Sequence, residues 1–370
     1  MPSINQIRGA LLEEIVLLLL ERSGYHRIHM GDEGTRSGRA GLEVEGRGSP
    51  HQIDALVTPI HSHAFIYPIR LMVEAKCETN PIGLATVRSV VGTLFDINQN
   101  FLARRLADGR EVRIQRFNYH AAMFAVNGYS ANAEQFAMAH QVFPIDYSHV
   151  AAMRPVVDAL LALRIEDFRE IAERRGKRNL TEIRTGFRAL LETRPVRMPV
   201  GLFSERGVAK VRDQLQPGIN QLSGSYYGMI EGVYPVHLIS RRPIPIEFIR
   251  RQGVIPCEIR VSNDEQTWAL EPSEVTADSP DFFRLEFTIP EFIAEMLSTR
   301  TEEDGARQGP PQWLRIAEVK ANYMRFIDVT TVDEGQLIPF RLALDVNWLS
   351  RYVVGRHARD AGRRSRRRLS

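Results

Sequence analysis

"PIRLMVEAKC", residues 68–77, alternates in the manner of a strand rather than a helix. Ile69, Leu71, Val73 and Ala75 fall on one side and Arg70, Met72, Glu74 and Lys76 on the other, because successive strand side chains point to opposite faces. Glu74 and Lys76 therefore emerge together. Lys76 is the only lysine in the first 150 residues, and the chain has four (Lys76, Lys177, Lys210, Lys320) among its 48 basic residues. A chain so biased toward arginine keeps lysine where a compact, adjustable point charge serves better than a planar fork.

Working outward, "LEVEGRGSPHQIDALV" (42–57) reads as a strand, a Gly/Ser/Pro turn and a second strand. Asp54 lies on the second of these, on the face shared with Gln52 and Leu56, and antiparallel pairing with 68–77 sets it beside Glu74. Two carboxylates at the ends of adjacent strands suit Mg²⁺, which takes one or two protein carboxylates and keeps several waters. Such an ion polarises a phosphoryl oxygen and acidifies its water. An ammonium two residues on orients that water or neutralises charge developing on the phosphate.

The neighbouring segments supply a frame. Residues 4–22 read as a helix that is apolar almost all round and stops at "SGY". A second helix is expected at 82–104. Then come a buried strand at 120–128, a helix at 130–141 capped by Ser130, and a strand at 142–148. Strand, helix, strand implies a parallel pair with a crossover. Residues 1–150 are thus expected to form an α/β domain, a mixed sheet flanked by helices. A charged helical linker (151–195) and a strand-rich α+β second domain (196–352) follow. The tail (353–370), with seven arginines against Asp360, is expected to be disordered, either solvated or drawn to phosphate.

Composition sets further bounds. Two cysteines in 370 residues give neither a disulfide framework nor a cysteine zinc site, which fits the cytoplasm. The run "IVLLLL" (15–20) is far short of the ~20 apolar residues that cross a bilayer. No GxGxxG or GxxxxGK[ST] string occurs, so no nucleoside triphosphate site is expected in this chain.

Asp54 followed by "VEAK" resembles the PD-(D/E)XK nuclease superfamily, the restriction-endonuclease-like fold. "LLEEIVLLLLERSGY" (11–25) is similar to the first helix of Mrr-like restriction endonucleases, and "MFAVNGYSANAEQFAMAHQVFPIDYS" (123–148) to the strand, helix, strand that closes their core. The resemblance covers about residues 8–148. It implies that Asp54 and Glu74 bind Mg²⁺, with Mn²⁺ able to substitute, that Lys76 assists the attacking water, and that Glu13 contacts the metal's water shell. Gln52 would touch substrate or orient Asp54. His51 beside the site and Arg47 in the glycine loop are further candidates for a DNA backbone contact. One departure is that Ile53 precedes Asp54, so the "PD" dipeptide is absent. The implied activity is that of a Mg²⁺-dependent DNA endonuclease of host defence, working as a homodimer or higher homo-oligomer with a sensor or NTPase partner chain. A repair or junction-resolving nuclease of the same fold and an inactive DNA-binding scaffold are the alternatives.

Other residues read as structural. "AEVKANY" repeats the motif with Glu318 and Lys320, but no acidic strand residue precedes it. His61 and His63 lack a third ligand and suit a loop. Glu13 and Glu14 are adjacent on a helix, so one of them is expected to face solvent. Tyr226, Tyr227 and Tyr234 offer base-stacking surfaces, but aromatic residues in strands are more often core.

Overall fold

A computed structural model of the chain describes residues 2–38, 41–61, 67–105, 107–114, 116–168, 178–191, 203–230, 234–261, 268–289 and 326–344. His63, the Glu318/Lys320 copy and the arginine-rich tail lie outside the described residues. The chain divides into two units, Met1–Ser225 and Tyr226–Ser370.

Unit 1 opens with α1 (Ile4–Arg22), begun by a reciprocal cap between Ser3 and Gln6. It ends at Gly24, whose φ of +91° needs a residue without a β-carbon. Then follow β1 (Tyr25–Arg27), β2 (Thr35–Ser37), β3 (Leu42–Glu45), β4 (Pro50–Gln52), β5 (Ala55–Pro59) and β6 (Ile69–Lys76). After them come α2 (Leu84–Asn98), β7 (Leu102–Arg105), β8 (Glu111–Ile114), β9 (Asn118–Ala125), α3 (Ala131–Ala139, capped by Ser130) and β10 (Val142–Asp146). Beyond lie α4 (Arg154–Ala162), α5 (Arg178–Leu190), α6 (Glu205–Lys210) and, after a π turn, α7 (Gln216–Asn220).

The main sheet has the order β1-β5-β6-β9-β10. The pairs β1/β5 and β5/β6 are antiparallel, while β6/β9 and β9/β10 are parallel. Helices α2 and α3 are the crossovers that parallel pairing requires. Leu56, Met72, Ala121 and Met123 on one face of the sheet pack against Val87, Val90 and Leu94 of α2 and Ala133 and Ala137 of α3. Helix α1 packs against β1, β5 and β6 and against α4 and α5. Leu11, Leu12, Ile15, Val16, Leu19 and Leu20 on it are fully buried. At about 1.5–3 kcal/mol for each such side chain, α1 is apolar enough to carry buried charge as well.

Three expectations need correction. The stretch 42–57 forms three strands rather than two, with β3 and β4 joining β2 in a separate small sheet before β5 enters the main one. The second helix stops at Asn98 instead of running to 104, because the chain turns there into the β7/β8 hairpin. Residues 151–191, expected as a linker, fall within unit 1: Arg8 on α1 donates to the carbonyls of Leu161 (2.8 Å) and Leu163 (2.5 Å), and α5 packs on α1.

Unit 2 comprises β11 (Gly224–Ile230), β12 (Tyr234–Ser240), α8 (Ile246–Gln252), β13 (Val254–Val261), β14 (Trp268–Pro272), β15 (Leu285–Phe287), β16 (Phe326–Asp333) and β17 (Gln336–Leu344). Its strands close into a barrel in the order β11-β12-β15-β14-β13-β17-β16, which leaves no open edge. The β16/β17 turn has positive φ at both Glu334 (48°) and Gly335 (79°), the geometry that matches strand twist in a two-residue hairpin. No helix among the described residues is long and apolar enough to cross a membrane.

Candidate active site

Asp54 sits in the bend between β4 and β5, one residue before the paired segment. The sequence reading had it within a strand beside Gln52. In fact Gln52 ends β4 in the small sheet and Asp54 opens the main one. The pairing nevertheless delivers it correctly. The register Ala55↔Val73, Leu56↔Met72, continued by one step, sets Asp54 opposite Glu74. Asp54 and Glu74 thus face each other across the β5/β6 pair, and Lys76 Nζ donates to Glu74 Oε1. The side chains of Glu74 and Lys76 are each 25% exposed, so the group is open to solvent on one side.

The electrostatics follow from that crowding. Burial, and then the charge of Asp54, push the Glu74 carboxyl up to about 7 against the opposing pull of Lys76. Burial by itself would depress the Lys76 amine. Glu74, Asp54 and Glu78 outweigh it, so the amine is held above its ordinary value and is an ammonium at neutral pH.

Glu13 and Glu14 were expected to split between site and solvent. Both are buried, at 2% exposure, because α5 covers α1 and meets each with an arginine. Glu14 accepts from Arg188 through both of its oxygens and from Arg27 Nη1 at 2.9 Å. Burial works against its ionisation, but the two guanidinium groups win and hold the carboxyl below its usual range. Glu13 pairs with Arg184, and its electrostatic neighbours include Asp54 and Glu74. Burial therefore drives the Glu13 carboxyl well up, with Arg184 only partly offsetting it. Arg184 is the residue that sequence reading missed. Its only signal was an arginine pair at i, i+4 in a helix so charged that it read as solvated.

The donor set fits a hard divalent cation. Asp54 and Glu74, opposite each other across β5 and β6, offer two carboxylates, the number Mg²⁺ takes from protein. Among the described residues no group of three or more His, Cys, Asp or Glu side chains is arranged to hold a metal, so the pair would leave most coordination positions to water. Arg184 already occupies Glu13, which agrees with a place outside the direct ligands.

The remaining candidates separate. His51 Nε2 lies 2.7 Å from Asp96 Oδ2 on α2, an anchoring contact within the fold. Gln52 and Arg47 are exposed. His61 is exposed just beyond β5. Tyr226 and Tyr234 are core residues of the barrel, and Tyr227 stacks on His237 with ring centres 4.1 Å apart.

No protein-family profile matches the chain, and no curated protein matches it. A search of solved structures finds similarity to the crystal structure of a protein of unknown function, AF1548, at 15% identity and a TM-score of 0.29, covering 58% of this chain and 97% of that one. A likeness at that level speaks to neither fold nor activity.

Proposed function

We propose that the chain is a divalent-metal-dependent DNA endonuclease with a restriction-endonuclease-like catalytic domain in unit 1, acting in host defence. The observation that carries this reading is the juxtaposition of Asp54, Glu74 and Lys76: two carboxyl groups opposite each other across the β5/β6 pair and an ammonium on the second. The element order supports it. One helix, three antiparallel strands, and two parallel strands reached through helices match the frame that the motif resemblance implies.

In this mechanism Asp54 and Glu74 hold Mg²⁺ or Mn²⁺. The ion supplies Lewis-acid polarisation of a phosphoryl oxygen and a more acidic water. Lys76 donates from its ammonium to the attacking water or to the charge that builds on the phosphate, where a fixed cation acts more strongly than it does in bulk solvent. Glu74 enters the reaction as the carboxylate, having released its proton to solvent. Glu13, pinned by Arg184 and driven toward its neutral form by burial, sits in the electrostatic surroundings of the pair. One such site cuts one strand, so double-strand cleavage calls for a homo-oligomer. The barrel of unit 2 serves target recognition, oligomerisation or docking of a sensor or NTPase partner.

The test is incubation of purified protein with plasmid and linear DNA in Mg²⁺, Mn²⁺ or EDTA. Metal-dependent nicking or linearisation is expected. Lys76→Ala and Asp54→Ala are each expected to lower the rate by about 100-fold or more while DNA binding is retained. Unchanged cleavage in either variant removes the assignment. No cleavage by the parent with any divalent metal favours a scaffold.

A further inference from the structure

The loop that joins β3 to β4 is held by a single side chain. Asp96 on α2 accepts from Gly48 N–H at 2.9 Å through Oδ1 and from Ser49 N–H at 3.4 Å through Oδ2, and Oδ2 also meets His51 Nε2 at 2.7 Å. Its main-chain oxygen takes the Arg47 N–H at 3.0 Å, and Gly46 N–H closes the loop onto Ser49 O at 2.9 Å. The fit leaves no room at residue 46, where a β-carbon would lie 2.0 Å from Asp96 Oδ2 and 2.6 Å from Ser49 O.

The same end of α2 is tied to the main sheet. Asn98 exchanges hydrogen bonds with the backbone of Tyr119 on β9 (2.8 and 3.0 Å), and Asn100 donates to Glu45 O on β3 at 3.0 Å. The hairpin is thereby fixed relative to the sheet that carries Glu74 and Lys76 on β6. Only Ile53 separates β4 from Asp54.

What this frame presents is Arg47. It is exposed and forms no ion pair among the described residues. Arg36 in the same small sheet is spent on Glu43 and Glu45. A rigid loop costs little further order when it binds, and a guanidinium is the side chain best matched to a phosphate.

We propose that Arg47 contacts a phosphate of the DNA flanking the cut, and that Asp96 is the positioning residue that aims it. The proposal rests on the nuclease reading of the adjacent site. At ~3.3 Å per strand residue the tip lies within ~23 Å of Asp54. That is less than the ~34 Å helical repeat of duplex DNA, so the phosphate belongs to the same turn of the duplex as the scissile bond.

Duplex binding is measured by fluorescence anisotropy in EDTA across a salt series, so no cleavage enters the readout. Arg47→Ala is expected to weaken binding about three- to ten-fold and to reduce the slope of log affinity against log salt by about 0.9, the share of one phosphate contact. Asp96→Ala, which frees the loop, is expected to reproduce both changes. Asp96→Asn keeps an acceptor for the loop amides and is expected to restore most of the affinity. Arg110→Ala removes an arginine already paired with Asp108 and should change neither quantity. In cleavage assays Arg47→Ala raises KM and spares kcat. If the parent binds duplex and Arg47→Ala keeps its affinity and salt slope, this proposal falls and the nuclease reading stands. If the parent binds no duplex at all, both fall.

Discussion

The barrel and the β5/β6 strand ends treat buried titratable groups in opposite ways. Inside the barrel, burial drives each group to its neutral form. His237 is pushed down to about 3, the Tyr226 phenol up to about 12, and the Cys257 thiol upward as well. The partners match that neutrality, for His237 lies flat against Tyr227 and the Tyr226 oxygen accepts the Ile244 N–H at 2.8 Å. At the β5/β6 strand ends and on Glu14 the fold keeps charge. Glu74 remains only half protonated at neutral pH, Lys76 is a cation, and two arginines are brought in from α5 to meet Glu13 and Glu14. Packing alone calls for nothing of the kind, since buried ion pairs are at best a weak source of stability. Retained charge at an open strand end is what the proposed site needs to work on another charge.

The largest effect that would test this contrast is on stability. Glu14→Ala strands Arg27 and Arg188 against a buried helix face and is expected to cost about 3–5 kcal/mol, read as a fall in the urea midpoint. A loss below about 1 kcal/mol would mean that the pair is ornamental and the contrast overstated.

The next effect is a pair of opposed pH dependences. Glu74 has a folded-state value near 7 against an ordinary 4.5, so the folded state holds the extra proton between those limits. Its contribution is present at the acid end and fades as pH climbs from 4.5 to 7. His237 has a folded-state value near 3 against 6.5. The unfolded chain takes the proton first, and stability falls as pH drops from 6.5 toward 3. Each arm is on the order of 2–4 kcal/mol. Glu74→Gln should flatten the first and His237→Phe the second, in thermal melts across pH. If both variants bent the same arm, the two regions would not differ as described.

The smallest effect concerns one hydrogen bond. Tyr226→Phe leaves the buried Ile244 N–H without its acceptor and is expected to lower stability by about 1–2 kcal/mol, with no change in DNA binding or cleavage.

How much of this was legible in sequence follows from distance along the chain. The alternation of 68–77 announced β6 and the shared face of Glu74 and Lys76, because a period of two is a local property. Ser130 announced the start of α3 for the same reason. The Asp54–Glu74 meeting could be read because antiparallel register carries a residue across a sheet by simple counting. That Asp54 stands in a bend was hidden, since the change of sheet after Gln52 is decided by where β3 and β2 lie and not by any period in "HQIDALV". Arg184 and Arg188 were hidden more deeply. An ion pair between residues 171 or 174 positions apart leaves no trace in local pattern, and a charged helix facing a buried acid looks the same as one facing water. Barrel closure in unit 2 was illegible on similar grounds, as β13 pairs not only with its neighbour β14 but also with the distant β17.

The span between α1 and α5 also orders events at the ribosome. Asp54, Glu74 and Lys76 leave the exit tunnel more than a hundred residues before Arg184, which at ~5–20 residues per second is a delay of roughly 5–20 s. Through that interval Glu13 lacks Arg184 and Glu14 has Arg27 but not Arg188, and the layer that seals them cannot close. A newborn chain therefore carries Asp54, Glu74 and Lys76 well before the layer behind them is complete, and that layer waits on the later helix.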